Sequence, residues 1–482
     1  MTRRRSEDRR FGLRHVDVLL LISFYTLVAA VVFVGLPAWL CLGLFLLVFA
    51  VHVIHNRRSA MWYPCAAAPF MFVVRAPHPS SPLLAVFLDA LVVGAIVVVG
   101  LDWLVRRSRM DRGRAYCVLL LLCHALVSVV VCLVHVGNVS FLPVIVRTYG
   151  VPLTFCAMLI LASVGNAELP AVCLRLFVLS FSLVAALAVA QYFKLARIPS
   201  NAVFLLPTAI AGGFDDRAVY EAQRALPLLG LVPRLNLLEG GSLGSSSAVA
   251  VVVSLLCLAG YVSGLGGLLR LVIGALCLVA GVLTTSFSVF VPVFVFLFVE
   301  VYRRAWRSVL AVVAVAVTAP AMVLLATVPA IEGRSLAAYA TWVTSILFAR
   351  ASSISLVDLL FGIGPFLTAQ GYGYRPGNYV ADIGVLGVLQ ETGLANFAIL
   401  AVVIGYVVYL ALRRLANRSE AGLVPFVLPF GVLCCLVHQN FTIGPPFYVL
   451  FAVGLSGVLS FSESLGSGTL HQGVPRERPV DG

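Results

Sequence analysis

The feature that most constrains this chain is the recurrence of apolar runs close to twenty residues long, the length a helix needs to cross a hydrocarbon layer of about 30 Å. Hydrophobic residues make up 61% of the 482 and charged residues only 11%, against about 25% charged in soluble domains. So little charge cannot cover a water-exposed surface. The fold class expected is therefore all-α, a polytopic membrane protein with about 12–14 transmembrane helices.

The runs predict spans near 16–34, 38–54, 60–75, 83–104, 115–136, 144–163, 170–193, 246–263, 268–284, 286–301, 308–328, 383–411, 423–437 and 446–461. The third carries Pro64 and Pro69 and reads as a span or a re-entrant segment. The pair flanking Thr284–Ser288 reads as two spans or one broken hairpin. The run from Val16 is too long for a signal-peptide core and reads as a retained first helix. No soluble domain interrupts the helices, so 1–482 is one membrane domain, with a tail at 462–482 whose composition predicts disorder.

Arginines gather at 1–15, 57–58, 106–114, 303–307 and 413–418, in alternate loops, which places those loops and both termini in the cytoplasm. The net charge of +13 thus reports topology, and no nucleic-acid partner is expected. Two long loops, 194–245 and 329–382, face the other side. They are exempt from the charge rule, so their cations are available for function. In the first these are Arg217, Arg224 and Arg234; in the second, Arg334, Arg350 and Arg375. A single arginine embedded near an apolar run, such as Arg147, is expected to snorkel to the interface.

All 11 cysteines fall in apolar segments, and His52, His55, His124 and His135 have no ligand-spaced partners, so neither a disulfide framework nor a metal site is expected. There is no phosphate-binding loop, dinucleotide fingerprint or nucleophile elbow, and no cofactor is expected.

The chemistry-bearing stretch is Gly333–Gly393. Leu336, Tyr339, Val343, Ile346 and Leu347 recur at helical steps, suiting a helix on the membrane surface bracketed by Arg334 and Arg350. The FGIGP break at Phe361–Pro365 turns the chain. Tyr372, Tyr374 and Tyr379 then alternate with glycines and Arg375, offering aromatic faces and a cation to sugars or phosphates. Asp382 stands at the mouth of the next span, and Glu391 lies within it, where a carboxylate is costly and hence a functional candidate.

The order Gly333-Arg334, a downstream Trp342, LFGIGP and DIGVLGVLQETGL resembles the membrane-domain signature of the O-antigen polymerase and ligase superfamily, on its Wzy-type polymerase branch. The family's usual Ser-Arg pair after the Thr-rich turn is replaced by Ser286–Phe287. The resemblance implies a membrane glycosyltransferase of the bacterial inner membrane, with the two long loops periplasmic. It would join undecaprenyl-pyrophosphate-linked oligosaccharide repeat units into O-antigen, capsule or exopolysaccharide. Arg234 and Arg334 would clamp the pyrophosphate, and Asp382 or Glu391 would serve as base. Arg350, Arg375, Arg217, Arg224, Tyr372 and Tyr374 would bind substrate. The partners implied are the lipid-linked units, membrane lipids, a chain-length regulator and a flippase. The alternatives are an O-antigen ligase, although 329–382 lacks the histidine typical of that branch, and a lipid-linked oligosaccharide flippase.

Overall fold

The computed structural model describes residues 15–75, 87–106, 110–166, 168–193, 195, 223–226, 230–233, 243–260, 262, 264–284, 355–362, 384–416 and 445–460. Helices α1 (His15–Val34) and α2 (Ala38–His55) form an antiparallel pair, with Pro37 setting the start of α2. A broken segment follows: a 3-10 turn (Arg57–Met61), α3 (Trp62–Ala67), a second 3-10 turn (Ala68–Phe70) and α4 (Met71–Arg75). Next come α5 (Phe87–Arg106), α6 (Arg112–Val136), a composite helix over 139–162 and α9 (Leu169–Tyr192). The composite joins a 3-10 turn (Val139–Phe141), α7 (Leu142–Ile145), a π turn (Val146–Gly150) and α8 (Val151–Ala162).

Later elements are α10 (Leu243–Leu258), α11 (Gly267–Leu283), α12 (Leu356–Phe361), α13 (Gly384–Ala416) and α14 (Pro445–Ser460). Strands β1 (Gln223–Leu226) and β2 (Gly230–Pro233) form an antiparallel hairpin, pairing Gln223 with Pro233. It is a small β element in the first long loop, which the expected all-α fold class did not include.

Seven helices among the described residues are long and apolar enough to cross a membrane: α1, α2, α5, α6, the 139–162 composite, α9 and the Glu391–Ala411 part of α13. The protein is a polytopic membrane protein. Helices α10, α11 and α14 supply shorter apolar runs. The spans expected at 286–301, 308–328 and 423–437 lie outside the described residues. The expected third span alternates short α and 3-10 pieces, with Pro64 inside α3 and Pro69 inside the second 3-10 turn, and every residue from Ser59 to Phe70 is buried. Irregular backbone at membrane depth is tolerated where protein encloses it.

Phe155, Phe177, Phe181, Phe447 and Phe451 are fully buried, so α8, α9 and α14 form the centre. Leu19, Ile22, Leu47, Ile54 and Leu101 are exposed on α1, α2 and α5, as suits faces that meet lipid. Gly274, Cys277, Ala280 and Gly281 make the buried face of α11. Such small residues let helix backbones approach, and Ser254 Oγ donates to the Gly274 carbonyl at 2.7 Å.

The arginine-rich end of the bundle is tied by polar contacts. Arg114 is fully buried and donates through Nε and Nη2 to the Leu459 carbonyl at 2.9 and 2.6 Å. That carbonyl belongs to the last turn of α14, where a cation also complements the helix dipole. Asp17, His52 and Tyr63 join α1, α2 and α3: His52 Nε2 lies 2.8 Å from Asp17 Oδ1, and Nδ1 lies 2.8 Å from the Tyr63 hydroxyl. With Asp17 ionised, Nε2–H donates to it and Nδ1 accepts from Tyr63.

These two bonds should differ in worth. A neutral cross-helix hydrogen bond in a membrane contributes about 0.6 kcal/mol. Removing the donor from an enclosed carboxylate costs about 3–5 kcal/mol. Thermal unfolding of purified protein should therefore show a small loss for Tyr63→Phe and a several-fold larger one for His52→Ala; equal losses would contradict this ordering.

Candidate functional site at a broken helix

Helix α13 is two helices fused across a kink, with Gly393 at φ 80° and ψ 168°. The single span expected over 383–411 is thus corrected to a helix that breaks at Gly393, because this backbone conformation is open to glycine and strained for other residues. The break is covered by α12. That short helix starts at Ser355, whose Oγ accepts from the Asp358 N–H at 3.1 Å, and ends at Gly362, φ 81°.

Gly362 is the first glycine of the FGIGP break, and it seats directly on the break in α13. A Cβ on Gly362 would run into the carbonyl of Glu391, and a Cβ on Gly393 would run into the carbonyl of Leu360. Two motifs thirty residues apart are therefore in backbone contact, and both glycines are needed for that approach.

Immediately before the break stands Glu391, with no exposed surface. Tyr149 donates its hydroxyl to Glu391 Oε2 at 2.7 Å. The body of Tyr149 is held in a small apolar cluster with Cys132 and Ile145, packed against Val129, Leu133 and Val136. Removing water from a carboxylate is costly, and charge-assisted hydrogen bonds are the compensation available in an apolar setting.

Tyr149 reaches Glu391 from the π turn of the composite helix. Pro152 has no N–H to bond the Thr148 carbonyl, and the helix widens there instead, the Val151 N–H bonding back to Val146. Residues two apart on a helix face different directions. Accordingly Tyr149 turns toward α13 while Arg147 turns toward α5, where its Nε lies 2.8 Å from Asp89 Oδ2. Arg147 is therefore ion-paired rather than simply snorkelled, with 43% of its side chain exposed against 21% for Asp89.

The polar line continues inward between α6 and α13. Asn396 Nδ2 donates to Ser128 Oγ at 2.6 Å, and His124 Nδ1 donates to the Asn396 carbonyl at 2.8 Å. His124, Ser128 and Asn396 are all buried. The helices that carry Asp89, Arg147, Tyr149 and Glu391 all enter the bundle from one end, opposite the end where Asp17, Arg57 and Arg114 lie.

Of the expected site residues, Glu391 alone has a described side chain. Arg224 lies in β1 opposite Val232, with its side chain outside the description. Arg217, Arg234, Arg334, Arg350, Tyr372, Tyr374, Arg375 and Asp382 lie outside the described residues. Tyr149, Asn396 and the Asp89–Arg147 pair escaped the sequence reading. The available signals were Pro152 just after the Val146–Gly150 turn and a carboxylate in the first turn of an apolar span. Among the described residues no group of three or more His, Cys, Asp or Glu could hold a metal ion. Compared with known proteins, the chain matches no family model, no curated protein and no solved structure.

The glycine contact makes a sharp prediction. Gly362→Ala and Gly393→Ala should each cost about 1–3 kcal/mol through backbone strain alone. Gly405→Ala, on the same α13 with open space at its Cβ, should be neutral or stabilising by about 0.5–1 kcal/mol. Melting temperatures of the three variants check this; a Gly405→Ala loss as large as the others would show that α13 tolerates no side chain, and the contact would not be special.

Proposed function

We propose that the protein is a polysaccharide polymerase of the bacterial inner membrane, joining undecaprenyl-pyrophosphate-linked oligosaccharide repeat units at the periplasmic face. The observation that carries this reading is the seating of the FGIGP glycine on the backbone of Glu391. It unites the two motifs on which the resemblance to Wzy-type polymerases rests. Charge distribution supports the orientation, since the end that holds Glu391 is opposite the arginine-rich loops.

In the proposed reaction the C–O bond between the growing glycan and its pyrophosphate breaks, and a new bond forms to a hydroxyl of the incoming unit. The leaving group is undecaprenyl pyrophosphate, whose charge Arg234 and Arg334 stabilise by bidentate hydrogen bonding. The acceptor proton passes to a carboxylate. Asp382 and Glu391 are the candidates. Enclosure and the Tyr149 bond favour Asp382 for direct contact and give Glu391 the role of holding the broken helix below it. Arg217, Arg224, Arg350, Arg375, Tyr372 and Tyr374 supply the surface for glycan and phosphate.

A second reading, lipid-linked oligosaccharide transport, is favoured by one observation: a discontinuous helix beside buried polar groups is also how transporters build their sites. Reconstitution with a lipid-linked repeat unit separates the two. Wild-type protein should give a product ladder on a gel. Arg334→Ala should abolish it, Asp382→Asn should slow it by about 10²–10⁴-fold as for loss of a general base, and Glu391→Gln should reduce it less. Movement of the unit across the vesicle membrane with no ladder, from folded protein and matched substrate, would replace polymerisation by transport.

A further inference from the structure

At the opposite end of the bundle, the first 3-10 turn, α5 and the end of α8 border a small, open recess of about 50 Å³. Its walls are Arg57, Arg58, Asp102, Trp103 and Arg106, over an apolar floor that includes Leu161. Arg57 Nη1 and Arg106 Nε both donate to one oxygen, Asp102 Oδ1, at 3.1 and 2.9 Å. A guanidinium has five N–H donors, so both arginines keep donors in reserve. Their side chains are 57% and 48% exposed.

Arg58 is different. Its backbone N–H is taken by the Asn56 side chain at 3.3 Å, while its guanidinium has no hydrogen bond or ion pair among the described residues. Three guanidiniums around one carboxylate leave the recess with a net charge of +2. Trp103 adds an aromatic wall. The recess thus presents surplus cationic donors and lacks an anionic oxygen.

The flanks decide which anion fits. Ile54, Leu101, Leu104 and Val105, on α2 and α5 beside the recess, are 84%, 59%, 63% and 74% exposed. A free phosphate would meet the arginines and leave these side chains bare. A phosphodiester headgroup with acyl chains satisfies both, because basic recesses between membrane helices capture anionic headgroups from the leaflet beside them.

We infer that the recess formed by Arg57, Arg58, Asp102, Trp103 and Arg106 is a binding site for an anionic phospholipid of the adjacent leaflet. The site is independent of the proposed polymerase reaction and lies at the other end of the helices. Asp102 holds two of the arginines in place, and Arg58 is the donor left for the ligand.

The test uses the full chain purified in an uncharged detergent, mixed with phosphatidylglycerol or phosphatidylcholine and read by native mass spectrometry. Wild-type protein is expected to retain phosphatidylglycerol preferentially. Arg58→Gln and Arg106→Gln should each lower that retention about fivefold, the worth of one arginine at an anionic surface. Arg58→Gln removes no hydrogen bond or ion pair among the described residues, and its melting temperature, read alongside, should match the wild type. Asp102→Asn keeps a side-chain oxygen for Arg57 and Arg106 while raising the recess to a net +3, and should tighten retention. Equal retention of the two lipids by the wild type, undiminished retention in both arginine variants, or weaker retention in Asp102→Asn would each overturn the proposal. Displacement of phosphatidylglycerol by equimolar inorganic phosphate would make it a free-phosphate site and overturn the lipid assignment.

Discussion

Inside a bilayer there is no water to bond a backbone N–H or C=O, so wherever a helix is interrupted the freed groups must be met by protein. Among the described residues, the break in α13 at Gly393, at the start of its apolar run, is one place where another segment meets this constraint. The cover is α12, which ends on Gly362 and lays its own backbone against Glu391 and Gly393. Neither position has room for a Cβ. Much of the geometry at that end of the bundle follows from this single contact, because it fixes where the first half of α13 stops and therefore where the carboxylate of Glu391 is held.

The carboxylate imposes the next requirement. Tyr149 meets it, and Tyr149 is available only because the helix over 139–162 widens into a π turn ahead of Pro152. The same turn sends Arg147 the other way, to Asp89. One local irregularity therefore ties the composite helix to two neighbours. The inner polar contacts from Asn396 to Ser128 and His124 extend the join between α6 and α13 toward the middle of the bundle. A purely apolar pairing of these helices would pack as well, so the polar line is the part that calls for a function, and it adjoins the residues on which the proposed polymerase reading rests.

The two ends are built on different principles. At the arginine-rich end, cations are numerous and find acceptors: Arg114 on the Leu459 carbonyl, Arg57 and Arg106 on Asp102. At the other end, the charges on the described helices include Glu391, which is enclosed, and the matched pair of Asp89 and Arg147. That asymmetry is what positive-inside insertion leaves behind once helices have packed. It also explains why the surplus cations, and with them the inferred lipid site, belong to one leaflet.

The sequence by itself determined that this is a helical membrane protein, and it placed most of the described helices to within a few residues. Length of apolar run and absence of charge are local properties, and the hydrocarbon thickness acts on each run separately. It also marked Glu391, since a carboxylate among Val, Leu and Gly stands out by composition alone. Tertiary structure decided the rest. That the segment holding Pro64 and Pro69 alternates α and 3-10 pieces and is wholly enclosed was settled by the neighbours packed around it. That Gly393 breaks its helix depended on Gly362 arriving from about thirty residues upstream, and that Arg147 pairs with Asp89 depended on the π turn over Val146–Gly150, which also turns Tyr149 toward Glu391. These outcomes rest on contacts between segments remote in sequence, and no periodicity or local propensity carries that information.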